Sequence, residues 1–222
     1  MGFVAALAAL SSAGCAPTQV RSERLERAEL LALIQTLNAD LLSHDSATLT
    51  LERWCADHHL SAEPARIVAQ RVADADKPIS EELRARLGVD ASEPLRYRRV
   101  RLVCGTHVLS EADNWYVPAR LTAEMNRVLD TSDEPFGKVV KPLGFRRRTL
   151  SADLLWSPLP QGWEMSAAAP DRGGDAMQIP HEVLRHTAVL YDAQQRPFST
   201  VVETYTNEAF DFGAWSERKP IK

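Results

Sequence analysis

Leu30, Leu33, Ile34, Leu37 and Leu41 recur at the three- and four-residue spacing of one helix face. That spacing predicts an amphipathic helix from Ser22 to about Leu42. Ser22 stands as its N-cap, with Glu23 and Glu26 in the first turns, where acidic groups suit the positive end of the helix dipole. The turn Ser43-His44-Asp45-Ser46 leads to a second, shorter helix, capped by Thr48 or Thr50 and carrying Leu51, Trp54 and Cys55. Residues 67–73 are β-branched enough for a strand, yet periodicity does not separate strand from helix there. Ser80 and Gly88 bracket a short helix as cap and stop.

From Leu95 the period changes from helical to alternating. Leu95, Tyr97, Arg99, Arg101 and Val103 alternate with Arg96, Arg98, Val100, Leu102 and Cys104. Gly105-Thr106 turns the chain, His107 to Val117 returns as the partner strand, and Pro118 ends it. Thr122 caps a helix carrying Met125, Val128 and Leu129, and residues 133–140 form a further short helical turn. Phe145 to Trp156 reads as a strand, residues 157–181 as a long Pro-, Gly- and Ala-rich loop, and Val183 to Tyr205 as a terminal hairpin turning at residues 192–196. Helices first, then hairpins interleaved with short helices, predict an α+β domain built on an antiparallel β-sheet with flanking N-terminal and inserted helices.

Composition narrows the class. The chain has 222 residues, 45% hydrophobic and 25% charged, which is ordinary for one globular domain with a real core. A net charge of −4 argues against a dedicated nucleic-acid binder. Residues 1–10 are apolar and uncharged, and Ser12-Ala13-Gly14-Cys15 follows. The run is too short to span a bilayer but has the length and small-residue ending of a signal peptide. It resembles a bacterial lipoprotein signal, in which Cys15 would be lipidated and become the first mature residue. The expected organisation is a signal over residues 1–15, a tether over 16–21 and one domain over 22–222. The protein would then be exported, periplasmic or membrane-anchored through that lipid alone, or cytoplasmic if the segment is not a signal. Cys55 and Cys104 could pair in an oxidising compartment, but two thiols make no framework, and buried free thiols are the expectation.

Most catalytic motifs are missing: there is no G-x-G-x-x-G, P-loop, G-x-S-x-G or H-E-x-x-H. Asp57-His58-His59 does not suit a metal, because neighbours on a helix point about 100° apart. The arginines say more. Arg96, Arg98, Arg99 and Arg101 load both faces of one strand, and unpaired guanidinium groups cannot fill both faces of a buried strand. Either one of them enters a pocket and binds an anion, or the strand offers a solvated face with Arg paired to Glu across strands. Arg146 to Arg148 invite the same argument. Glu203 sits in an apolar, β-branched strand and shares a face with Val201 and Tyr205, which favours the interior. Buried without a cationic partner, it would have a raised pKa and could act as acid or base.

Taken in order, these segments resemble the chorismate–pyruvate lyase family and its relative, the effector-binding UTRA domain of bacterial regulators. The resemblance runs from about Leu37 to Phe210. It rests on Leu41-Leu42-Ser43-His44-Asp45-Ser46-Ala47-Thr48, Arg96-Tyr97-Arg98-Arg99-Val100-Arg101-Leu102-Val103-Cys104, Pro118, Glu134-Pro135-Phe136-Gly137-Lys138 and Val201-Val202-Glu203. It implies that Arg99 binds a ring carboxylate, that the chain at Phe136 touches the ligand, and that Glu203 lies near the ring 4-oxygen. Arg99 and Glu203 are accordingly the expected catalytic pair. The implied reaction eliminates pyruvate from chorismate to give 4-hydroxybenzoate. Aromatisation drives it, so neither a metal nor another cofactor is implied. Asp113-Asn114 stands where the family has Gly-Arg, and the family enzyme is cytoplasmic. The alternatives are therefore an exported, non-catalytic domain that binds an aromatic carboxylate, or a structural lipoprotein in which Arg99 and Glu203 are surface groups.

Overall fold

A computed structural model describes residues 16–73, 75–166 and 177–213. The signal reading of residues 1–15, with Cys15, and much of the 157–181 loop lie outside them. The first helix, α1 (Ala16–Ser43), takes in residues 16–21, which the sequence suggested as a tether. Pro17 is compatible with this, because the first helical turn needs no backbone N–H. Leu30, Ile34, Leu37 and Leu41 are all fully buried, as their spacing requires. The second helix, α2 (Ala47–Asp57), is capped by Ser46 rather than by Thr48 or Thr50. The Ser46 hydroxyl accepts from the Leu49 N–H at 3.3 Å, and both threonines are buried inside the helix.

Among the described residues the sheet has six strands: β1 (Ile67–Arg71), β2 (Arg96–Cys104), β3 (His107–Tyr116), β4 (Arg146–Leu154), β5 (Glu182–Tyr191) and β6 (Pro197–Thr206). Every pairing is antiparallel, in the order β1-β2-β3-β6-β5-β4. Three helices interrupt the strands: α3 (Glu81–Leu87), α4 (Ala123–Thr131) and α5 (Phe136–Val139). Ser80 and Gly88 cap α3, Gly88 at a φ of +59° that suits a residue without Cβ. The protein is thus α+β with an antiparallel sheet and flanking helices. No helix of the described residues is long and apolar enough to cross a membrane.

The two sheet faces carry different cores. On one face, α1 and α2 bury Leu30, Ile34, Leu51 and Trp54 against Val100, Leu102, Ala112 and Tyr205. Beside them, Met125, Leu129 and Phe136 from α4 and α5 pack on Tyr116, Leu190 and Phe198. On the opposite face α3 packs Leu83 and Leu87 on Trp115 and Val117. Cys55 of α2 and Cys104 of β2 are joined in a disulfide, with Cα atoms 6.4 Å apart. This corrects the expectation of free thiols. Cys55 sits one turn after Leu51 on the buried side of α2 and Cys104 closes the buried side of β2, so packing of helix on sheet brings them within bridging range.

Candidate functional site

Alternation along the strands fixes which side chains meet on the helix-covered face. Arg98, Val100 and Leu102 of β2 stand across from Asn114, Ala112 and Ser110 of β3. The rows continue through Val201 and Glu203 of β6 to Ala188 and His186 of β5. Between these rows and the helices lies a cavity lined by Arg98, Asn114, Arg147 and Glu203 and walled by Val100, Leu102, Ala112, Phe136, Leu190 and Val201. The α1–α2 turn closes it with Asp45, Ser46, Ala47 and Thr48. About 40 Å³ is free to the centres of water-sized molecules, roughly three times the ~10–15 Å³ that one buried water needs.

The turn is held in place by β4. Arg146 donates to Asp45 at 2.9 Å, and the Arg147 backbone N–H donates to the other Asp45 oxygen at 2.8 Å. Gly137 lets α5 approach the first turn of α2. A Cβ there would stand 2.9 Å from the Ser46 hydroxyl and 3.1 Å from that of Thr48. Lys138 and Glu52 form an ion pair that ties α5 to α2.

Glu203 is in the cavity, but it has a cationic partner. Arg147 donates to Glu203 Oε2 at 2.5 Å, and the two side chains are 4% and 9% exposed. The Tyr205 hydroxyl donates to the same oxygen at 3.2 Å. Burial opposes the charge on Arg147, yet Glu203, followed by Tyr205, outweighs it and raises the Arg147 pKa. Burial, then the Glu203 charge, pushes the Tyr205 hydroxyl well above its ordinary value. Arg147 therefore keeps its charge, and its bond together with that of Tyr205 fixes the orientation of the Glu203 side chain.

Arg99 is elsewhere. It lies on the α3 side of the sheet, donates to Glu111 at 2.9 Å and faces Asp113 at 3.9 Å. Asp113 also takes Lys77 and the Tyr97 hydroxyl. This corrects the assignment of Arg99 as the pocket arginine, because side chains alternate and a shift of one residue reverses the face. The paired, solvated face was the other reading of these arginines, and Arg99 and Arg101 both follow it by sharing Glu111.

Arg98 takes the inward place. It is 7% exposed, and among the described residues its one bond runs from Nη2 to the Glu134 carbonyl at 3.3 Å, leaving Nε and Nη1 without an acceptor there. Burial, then the nearby charge of Arg71, lowers its pKa. Two further buried donors on this cavity lack acceptors, Arg147 Nε and Asn114 Nδ2. Phe136 is in the wall, its ring 5.4 Å from Tyr116 and 6.2 Å from Phe198. The structure thus brings Glu203 and Phe136 together with Arg98, Asn114 and Arg147, and leaves Arg99 out. The signal for Arg98 was its alternation with Val100, Leu102 and Cys104, the more apolar side of the strand. For Arg147 the signal was only its place in the triple arginine run. No group of three metal-ligating side chains occurs among the described residues.

Beside the cavity, His186 is fully buried, with Nε2 at 2.9 Å from Asn38 Oδ1. Burial pulls its pKa from 6.5 down to about 4. The unfolded chain thus binds a proton between those values that the folded protein refuses, so stability falls as pH drops from 6.5 toward 4. The full shift corresponds to roughly 3 kcal/mol. Urea unfolding at stepped pH should show this slope, and His186→Gln should flatten it.

Fold and site together define an α+β protein with an arginine-bearing cavity on the helix-covered face of an antiparallel sheet. No family model matches the chain. The chain belongs to the family of the uncharacterized protein y4mC of Sinorhizobium fredii (strain NBRC 101917 / NGR234), with which it is 55% identical over 190 residues, 86% of this chain and 80% of that protein. Among solved structures it is similar to the effector domain of PhnF from Mycobacterium smegmatis, at 17% identity and a TM-score of 0.47 over 73% of this chain and 88% of that one. It is also similar to a GntR-family transcriptional regulator from Enterococcus faecalis V583, at 15% identity and a TM-score of 0.39 over 65% of this chain and 97% of that one.

Proposed function

We propose that the protein binds a small anionic ring compound in this cavity, with Arg98 receiving the carboxylate. The observation that carries this reading is the set of buried donors on Arg98, Asn114 and Arg147 that meet no acceptor among the described residues. Each such group costs about 1–3 kcal/mol when left unmade. A carboxylate offers acceptor oxygens for several of them, and an arginine is suited to a bidentate contact with it. The walls of Val100, Leu102, Phe136, Leu190 and Val201 suit the apolar faces of a ring, and the cavity must widen beyond its space for about three waters to admit one.

Elimination of pyruvate from chorismate is the reading that makes the site a lyase. It needs a group to move a proton at C4 or at the departing enolpyruvyl oxygen. Glu203 is in position to face a ligand, but both of its recorded bonds, from Arg147 and Tyr205, fall on Oε2. Such a carboxylate orients a ligand better than it carries a proton, so binding without turnover is the function we favour. We also propose that the protein is exported. The Cys55–Cys104 disulfide supports an oxidising compartment, where Cys15 would carry a lipid.

Calorimetric titration of the protein with 4-hydroxybenzoate and with chorismate, with pyruvate followed in parallel, tests the proposal. Binding is expected without pyruvate release. Arg98→Met should weaken it more than about tenfold, since a hydrogen bond to a charged group is worth about 1.5–3 kcal/mol. Pyruvate release that disappears in Arg98→Met and Glu203→Gln would establish the lyase instead. No binding of either compound overturns both readings.

A further inference from the structure

The short edge strand leaves a second opening, independent of what the cavity binds. β1 pairs with β2 only from Ile67↔Cys104 to Arg71↔Val100, and the Val72 N–H then closes on the Arg99 carbonyl. Among the described residues no strand lies beyond residues 96–98 of β2 on that side. A cleft with about 540 Å³ free to the centres of water-sized molecules lies there, lined in part by Arg71, Arg96, Arg98, Tyr116, Asp76 and Asp130. Arg98 lines both openings.

The charges in the cleft do not cancel. Asp130 is already held by Arg96 through both oxygens, at 2.7 and 2.6 Å. Arg71 stands across from Val100 and so shares the face of Arg98, and it makes no ion pair among the described residues. Its charge acts directly on Arg98, opposing the charge of that group. The Tyr116 hydroxyl accepts from Arg96 and keeps its own proton to donate. Asp76 is the remaining carboxylate in the lining.

We propose that Arg71 and Arg98 form a second site for a doubly charged oxyanion of the phosphate-ester class. Arg71 and Arg98 make no ion pair among the described residues, and Asp76, with the more distant charges of Asp130 and Asp133, leaves the two guanidinium groups incompletely balanced. A carboxylate supplies one negative charge, whereas a phosphate dianion supplies two and has oxygens enough to accept from two planar donor forks. Arg71 decides this site and does not line the inner cavity.

Titration of the full chain with inorganic phosphate at constant ionic strength tests it. The wild-type protein should bind phosphate, and Arg71→Ala should weaken that binding more than about tenfold, with partial recovery in Arg71→Lys. Arg71 is exposed at a strand end, so the fold should persist, and circular dichroism checks that it does. Arg71→Ala should still bind 4-hydroxybenzoate, with an affinity changed less than that for phosphate, since Arg71 reaches the inner cavity only through its charge on Arg98. No phosphate binding by the wild type, or equal binding by Arg71→Ala, overturns the proposal. Phosphate binding that depends on Arg71 while 4-hydroxybenzoate fails to bind would uphold this site and overturn the cavity reading alone.

Discussion

Replacing Arg147 by alanine lowers the free energy of unfolding by about 3–5 kcal/mol, because it strands a buried carboxylate. Glu203 is 7% exposed and Tyr205 fully buried, so neither can recover the lost interaction from water. The Tyr205 hydroxyl at 3.2 Å is a weak substitute for a guanidinium at 2.5 Å. Arg147→Met combined with Glu203→Leu should be far less damaging than Arg147→Ala alone. Two apolar groups of similar volume require no charge in the interior. Equilibrium urea unfolding of the three proteins reads both effects as shifts in midpoint. A loss below about 1 kcal/mol in Arg147→Ala would place the pair in the energetic class of solvated surface bridges.

Reduction of the Cys55–Cys104 disulfide should cost nearly as much, for a different reason. The bridge spans 49 residues, and opening a loop of that length returns about 4 kcal/mol of chain entropy to the unfolded state. The effect belongs to the unfolded ensemble, so Cys55→Ser with Cys104→Ser should reproduce reduction while leaving the native circular dichroism unchanged. Urea midpoints with and without a phosphine reductant measure it. Two titratable thiols besides Cys15 in protein purified without reductant would contradict the bridge. Because Cys55 lies in α2, whose first turn contributes Ala47 and Thr48 to the cavity, the same bridge also steadies the roof of the site.

The elements were legible where a period was strong. The α1 stripe of leucines, the Ser80 and Gly88 caps and the alternation of β2 and β3 each have one physical solution, and the structure adopts it. The α1 start and the α2 cap were less so, because Ser22, Ser46, Thr48 and Thr50 are all competent capping residues. The pocket arginine depended on register. Counting back from the Gly105-Thr106 turn pairs Cys104 with His107, which would set Arg98 across from Asp113. A bulge between Leu102 and Val103 shifts the ladder by one residue, so Arg99 meets Asp113 and Arg98 meets Asn114. A bulge leaves little trace in sequence, yet it decides which guanidinium is paired and which is left with free donors. The Arg147–Glu203 pair was out of reach for another reason. Its members are 56 residues apart and on strands that do not touch, β4 and β6, with β5 between them.

The strand order has a kinetic consequence. β1, β2 and β3 are joined through neighbours in the chain on one side, and β4, β5 and β6 on the other. One ladder, β3 with β6, sews the halves together across a long stretch of sequence. Arg98 and Asn114 belong to the first half, Arg147 and Glu203 to the second. Neither half alone contains the cavity, so a ligand has nothing to hold until that last ladder closes. Occupancy then acts as a brake on unfolding and not as a template for folding, and the lifetime of the native state, more than its rate of formation, records whether the cavity is filled.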